Sequence, residues 1–172
     1  MSYLENLKNI KAFVFDVDGV FTDGSVYLLP EGNMCRVMNV LDGYAVVKAL
    51  KKKYKIGVIT GGDDKMVRHR IHYLGITDYY AKVHHKLEKY EEFKQKHQLQ
   101  DHEILIMGDD IPDLKMMQLA GIAACPINSV AEIKEISHYI SPVHGGKGAV
   151  RDVIEQVMKV QGTWIEDDTQ SI

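Results

Sequence analysis

Cysteine is scarce in this chain of 172 residues, with only Cys35 and Cys125. Two lone thiols make neither a disulfide framework nor a metal-binding CxxC spacing, so a reducing, cytoplasmic setting is the expectation. Positive charge is not in excess. Lysine and arginine number 21 against 24 acids, for a formal net charge of −3, which lacks the basic footprint of a nucleic-acid binder. Long apolar runs are missing, and nothing approaches the roughly 20 residues of a membrane span. The N-terminal MSYLENLKNIKAF is amphipathic and carries an acid, unlike the basic start and apolar core of a signal peptide. No internal repeat or low-complexity linker breaks the chain. The eight histidines, His84-His85 included, fall in no HExxH-like spacing and are expected at the surface. What is left, 45% hydrophobic and 26% charged residues, suits a soluble globular protein. The length suits one domain over 1–172 with a single core.

Short apolar runs alternate regularly with helical patterns. KAFVFD (11–16), IGVIT (56–60), YYAKV (79–83), EILIMG (103–108), GIAACP (121–126) and HYIS (138–141) are predicted strands. Between them the periodicity predicts helices over 44–53, 63–74 (ended by Gly75), 86–98, 112–120, from about Val130, and over about 148–161. In the first of these, Val46, Val47, Ala49 and Leu50 gather on one face. Such alternation predicts an α/β fold, a Rossmann-like, three-layer, doubly wound parallel sheet with helices on both faces. The tail GTWIEDDTQSI (162–172) is polar and expected to be loose.

One segment breaks the rhythm. SVYLLPEGNMCRVMNV (25–40) holds two extended runs around Pro30-Glu31-Gly32-Asn33, a hairpin signal. An isolated hairpin is marginal in water. This one carries Val26, Leu28, Leu29, Met34, Val37 and Met38, more apolar surface than a free flap should expose. It must fold onto the sheet or pair with other subunits, unless it is simply an edge of the main sheet.

The predicted strands end in acids. FVFDVDGVFTDG places Asp16 and Asp18 at the tip of an apolar run, with Asp23 just beyond. Burying a carboxylate is costly unless something compensates it. In chain order the strand ends supply Asp16 and Asp18, Thr60-Gly61-Gly62, the region of Lys86, and Gly108-Asp109-Asp110 with Asp113. In an open parallel sheet these ends share one rim, where ligands collect. Clustered acids repel, and a divalent cation relieves the conflict; oxygen-only donors suit Mg²⁺. Carboxylates with glycine N–H groups, a hydroxyl and an ammonium make a pocket for a phosphoryl group. One carboxylate can act as nucleophile, and a second acid two residues on can protonate the leaving oxygen. A signalling receiver domain uses similar groups, but its phosphorylated acid lies on a central strand, and YYAKV ends without one.

DVDGV, VITGG, a lysine and MGDDIPD, in this order, resemble the haloacid dehalogenase superfamily of phosphotransferases over nearly the whole chain. The resemblance implies Asp16 as nucleophile, Asp18 as general acid and base, Thr60 and Gly61 on the phosphoryl group, and Lys86 neutralising charge. It implies Mg²⁺ held by Asp16, Asp109 and the backbone carbonyl of Asp18, with Asp110 and Asp113 in support. Only a hairpin and one helix separate Asp18 from Gly61, so the chain resembles the capless subgroup. In that subgroup homotetramers let each hairpin help roof a neighbour's site. NVLDGYAV and GGKGAVRDV narrow the likeness to phosphatases of eight-carbon sugar-acid phosphates in lipopolysaccharide synthesis. Relatives acting on nine-carbon acids commonly carry glutamate where Gly62 stands, and many eight-carbon enzymes carry arginine there. Arg68, rather than Arg70, is the expected partner of the substrate carboxylate. Asp42-Gly43 either lines the site or caps the helix from Tyr44. HGGKGAVRD (144–152) either brings Lys147 or Arg151 to a neighbouring site or is a plain loop-to-helix junction. A catalytically silent oligomerisation module is the remaining reading.

Overall fold

A computed structural model describes residues 3–165. In chain order the elements are α1 (Tyr3–Leu7), β1 (Ala12–Phe15), β2 (Tyr27–Leu28), β3 (Met34–Cys35), α2 (Val40–Lys51), β4 (Lys55–Ile59), α3 (Lys65–Tyr73) and β5 (Asp78–Tyr80). They continue with α4 (Lys86–His97), β6 (Ile104–Met107), α5 (Leu114–Met117), β7 (Ile122–Pro126), α6 (Ala131–Ile136), β8 (Tyr139–Ser141) and α7 (Ala149–Val160). Six strands form one sheet in the order β5-β4-β1-β6-β7-β8, parallel throughout. The expected doubly wound α/β architecture is present.

Strand side chains alternate between two cores. Phe13, Phe15, Leu105 and Met107 join residues of α2, α3 and α7 on one face. Ala12, Val14, Ile104 and Ile106 join Tyr90, Phe93, Met116 and Ile133 from α4, α5 and α6 on the other. Burial on both sides is why these strands read as unbroken apolar runs. The chain winds outward from β1 through β4 to β5, then returns to pair β6 with the other side of β1. The crevice for ligands therefore opens between the carboxyl ends of β1 and β6.

Several expectations need correction. The hairpin is a separate two-stranded sheet of β2 and β3, Tyr27 opposite Cys35 and Leu28 opposite Met34, so it is not an edge of the main sheet. Its apolar side chains stay largely uncovered, Leu28 being 81% exposed. The first predicted helix starts earlier, at Val40, and its N-cap is Asn39, whose side chain accepts a hydrogen bond from Leu41 N–H. Asp42 is therefore not that helix's cap. The segment after Pro112 is a tight turn over Ile111–Asp113 and then only the short α5. Gly162–Trp164 is anchored rather than loose: Thr163 N–H donates to Met158 C=O at 2.7 Å, and Trp164 is buried with its ring edge-on to Tyr44, while Ile165 is exposed. The remainder of the predicted tail, 166–172, lies outside the described residues. Among the described residues no helix is long and apolar enough to cross a membrane.

Candidate active site

At the tip of β1 the backbone makes one wide helical turn, with Thr22 N–H donating to Val17 C=O. Asp16 stands at the entrance to that turn, and its Oδ1 accepts from Val17 N–H at 2.7 Å. Gly19 inside the turn has φ +83, and a Cβ there would overlap the Asp109 carboxylate. Only glycine lets the β1 loop approach the acid at the end of β6 this closely.

Across the crevice, Asp109 follows β6, and Asp113 reaches back toward it. Asp113 Oδ2 accepts from Asp109 N–H at 3.2 Å. Carboxylate oxygens of Asp16, Asp109 and Asp113 all lie within 4.8 Å of one another. Lys86, the first residue of α4, lies among them: its Nζ is 2.9 Å from Asp16 Oδ1 and 2.7 Å from Asp113 Oδ1. Lys86, Asp113 and Asp16 are all buried. Burial alone would lower the lysine's pKa, but Asp113 and Asp16 outweigh it and hold the ammonium above its ordinary range.

The acids are less comfortable. Burial, then the charge of Asp113, pushes the Asp16 carboxyl up to about 7 despite Lys86. Burial, then Asp113 and Asp110, pushes Asp109 up to about 7. One ammonium does not balance this many carboxylates. The donors are all oxygen, and the repulsion is what a hard divalent cation relieves, so the residues present fit Mg²⁺.

Thr60 follows β4. It is buried, and its Oγ1 accepts from Gly62 N–H at 3.2 Å. Asp18 stands apart from the close group of Asp16, Asp109 and Asp113 and pairs with the flap. Its Oδ1 accepts from Arg36 Nε at 2.6 Å and its Oδ2 from Arg36 Nη2 at 3.3 Å. Arg36 also donates from Nη1 to Asp64 Oδ2 at 3.0 Å. Sequence reasoning overlooked Arg36; the signal available was a single basic residue in a hairpin whose one other charge is Glu31.

The remaining candidates separate. Asp110 is exposed and its Oδ1 accepts from Ile111 N–H, capping the turn that carries Asp113. Gly61 is exposed at the rim. Arg68 is paired with Asp63 and lies over the Tyr79 ring, while Arg70 lies over Tyr73. Neither arginine contacts the acid cluster in these pairings. Asp42 is buried at the start of α7, where its Oδ1 accepts from Arg151 N–H at 2.9 Å. Arg151 itself stacks over Tyr44 and Trp164 and pairs with Glu155. The glycines of 144–152 pack on the chain's own β1 loop: Gly146 N–H donates to Val20 C=O at 2.9 Å, and a Cβ on Gly145 would overlap Gly19 O.

A family model for haloacid dehalogenase-like hydrolases matches residues 39–121. The chain is 32% identical over 165 residues to the 3-deoxy-D-manno-octulosonate 8-phosphate phosphatase KdsC of Escherichia coli K12, covering 96% of this chain and 88% of that one. Among solved structures, the phosphatase of the same name from Yersinia pestis superposes with a TM-score of 0.91 at 30% identity, over 94% of this chain and 87% of that one. The enzyme of that name from Moraxella catarrhalis, solved with magnesium, phosphate and a KDO molecule, gives a TM-score of 0.90 at 31% identity, over 94% and 92% of the two chains. The parallel sheet, the acids gathered at the ends of β1 and β6 and this likeness over nearly the whole length place the chain in one family: it belongs to the haloacid dehalogenase-like hydrolases.

Proposed function

We propose that this chain, as one phosphatase domain, hydrolyses 3-deoxy-D-manno-octulosonate 8-phosphate to the free sugar acid and inorganic phosphate, in the cytoplasmic synthesis of lipopolysaccharide precursors. The observation that carries this reading is the buried Lys86 ammonium between Asp16 and Asp113, with Asp109 alongside. That is a site built to receive a metal and a phosphoryl group.

Asp16 and Asp109, with the backbone carbonyl of Asp18, would hold Mg²⁺, and Asp110 and Asp113 support that set from behind. When bound, the ion supplies positive charge beside the transferring phosphoryl oxygens. Asp16 attacks phosphorus through a carboxylate oxygen, forming a phospho-aspartate as the ester P–O bond breaks. Asp18 gives its proton to the departing sugar oxygen, then takes one from the water that attacks the phospho-aspartate and frees phosphate. Thr60 Oγ1 and the N–H of Gly61 donate to the phosphoryl oxygens, and Lys86 neutralises charge as it transfers from sugar to enzyme. Arg68, which is paired with Asp63 in the ligand-free chain, is the proposed partner of the sugar carboxylate.

The uncovered apolar flap supports a homotetramer in which flaps of neighbouring subunits roof each other's sites. Enclosure of this kind would exclude water and strengthen every charge interaction below it.

The test is phosphate release with Mg²⁺ from a panel holding the octulosonate 8-phosphate, a nonulosonate 9-phosphate and common hexose phosphates. A preference in kcat/KM for the octulosonate supports the reading. Preference for the nine-carbon acid moves the chain to the sialic-acid-like branch. No turnover from folded, metal-loaded protein leaves the silent oligomerisation module.

A further inference from the structure

The flap sends one charged side chain into the site. Arg36 follows β3 in an exposed hairpin, yet its side chain is only 10% exposed. Its Nε and Nη2 grip both oxygens of Asp18, and its Nη1 holds Asp64. Asp64 is not a free partner. Its other oxygen caps α3, accepting from Met66 N–H at 2.8 Å and Val67 N–H at 3.1 Å. The guanidinium therefore joins three pieces: the flap, the acid after β1, and the start of the helix that follows Thr60.

Gly62 borders this junction. A Cβ on Gly62 would lie 3.7 Å from Thr60 Oγ1, 3.8 Å from Asp18 Oδ2 and 3.9 Å from Arg36 Nη2. Beside the junction, a cavity of about 470 Å³ is lined by Met34, Arg36, Asp63, Asp64 and Met66 among others. Arg36 thus lines an open space between flap and α3 on one side and holds Asp18 on the other.

We propose that Arg36 is a positioning residue, which fixes the direction in which Asp18 presents its carboxylate and makes the placement of the flap and of that acid a single event. The planar two-point grip specifies orientation as well as proximity, which a point charge would not. The proposal rests on the reading that Asp18 exchanges a proton with the leaving oxygen. It differs from a substrate-anchoring role, in which the guanidinium would grip the sugar's carboxylate rather than Asp18 and Asp64.

The experiment compares kcat/KM of wild type, Arg36→Ala and Arg36→Lys on three esters with Mg²⁺ present. They are the sugar-acid phosphate, a hexose 6-phosphate without a carboxylate, and p-nitrophenyl phosphate. kcat/KM reports steps up to release of the alcohol, and p-nitrophenolate leaves without needing a proton. Arg36→Ala is expected to lower kcat/KM about 10- to 100-fold on both sugar esters and by less than about threefold on p-nitrophenyl phosphate. Arg36→Lys keeps the charge but not the two-point grip, and is expected to fall between the two. Equal loss on all three esters, or no loss on any, overturns the proposal. Loss confined to the sugar acid also overturns it and makes Arg36 a carboxylate anchor. An unchanged melting temperature in Arg36→Lys separates positioning from folding. If wild type releases phosphate from none of the esters, the phosphatase reading itself has failed, an outcome distinct from failure of this inference.

Discussion

Lys86 and Asp113 meet 2.7 Å apart inside the protein, the carboxylate wholly buried and the ammonium nearly so. Asp113 also accepts the Asp109 N–H, so one side chain orients both the cation and an acid of the candidate metal site. Asp113→Ala strands a buried ammonium with one partner instead of two. It is expected to cost about 3 kcal/mol of stability and about 100-fold or more in turnover. Asp113→Asn keeps the acceptor for Asp109 N–H and should lose less stability. Urea unfolding and steady-state phosphate release on both variants check this; an alanine variant as stable and active as wild type would contradict it.

Asp16→Asn separates chemistry from stability. Burial and Asp113 push the Asp16 carboxyl up to about 7, so its ionised form is costly when no cation is present. Asparagine removes that charge and retains an oxygen to accept the Val17 N–H. Turnover should fall on the order of a thousandfold or more with loss of the nucleophile. The metal-free melting temperature should stay level or rise. Calorimetry beside an activity assay reads both.

Metal affinity should depend on pH in a set direction. Asp16 and Asp109 both have carboxyls raised to about 7, whereas in the unfolded chain they titrate near the ordinary aspartate value of 3.8. The ion-free folded state thus holds extra protons between about pH 4 and 7, and these acids make it lose stability as pH rises through that window. Mg²⁺ needs the carboxylates bare, so binding must release protons below pH 7. If one proton is released per ion, the Mg²⁺ dissociation constant should tighten about tenfold from pH 6 to pH 8. Titration calorimetry in two buffers of different ionisation heat counts that proton. Chelation should abolish turnover and lower the melting temperature, and restoring Mg²⁺ should reverse both.

Asp42 makes a prediction remote from the chemistry. It is 1% exposed, its Oδ1 accepts from Arg151 N–H, and its Oδ2 has no hydrogen-bond partner. Burial pushes its carboxyl up to about 6 despite the Arg151 N–H. The folded state therefore binds a proton more tightly than the unfolded one, and Asp42 makes stability fall as pH rises from about 4 to 6. Asp42→Asn should remove this slope and raise stability above pH 6 on the order of 1–3 kcal/mol. Unfolding free energies of both proteins at pH 4.5 and 7.5 give the difference directly. A variant less stable at pH 7.5 would mean that the charge at the start of α7 is worth more than its burial costs.

Much of the fold was legible because local physics wrote it into the chain. β1 and β6 are buried on both faces and show as four-residue apolar runs, and Gly75, with φ +96 just past α3, stops that helix where the glycine predicts. The acids and Lys86 stood out because each closes a predicted strand or opens a helix. Other features depended on partners distant in sequence. Asp42 looks like a cap for its own helix, yet it serves α7, 109 residues away. Trp164 sits in a polar tail and is buried only because Tyr44 and Arg151 wait for it. The glycines of 145–146 read as a plain loop before a helix, yet they fit closely against the β1 loop, far away in sequence.

The order of apolar runs, acids and glycines by itself determined the doubly wound sheet and the chemical identity of the rim, because strand burial and helix ends are decided within a few residues of each site. Which acids gather together and which pairs elsewhere was decided only by the tertiary structure. Asp16 and Asp18 are two residues apart on one strand tip, yet one faces Lys86 and the other faces Arg36. That division follows from the direction of the turn at Gly19 and from an arginine that arrives on a separate hairpin. The turn is written beside the acids, in Gly19, but the arginine is not, since long-range charge pairing depends on where the folded backbone brings each partner.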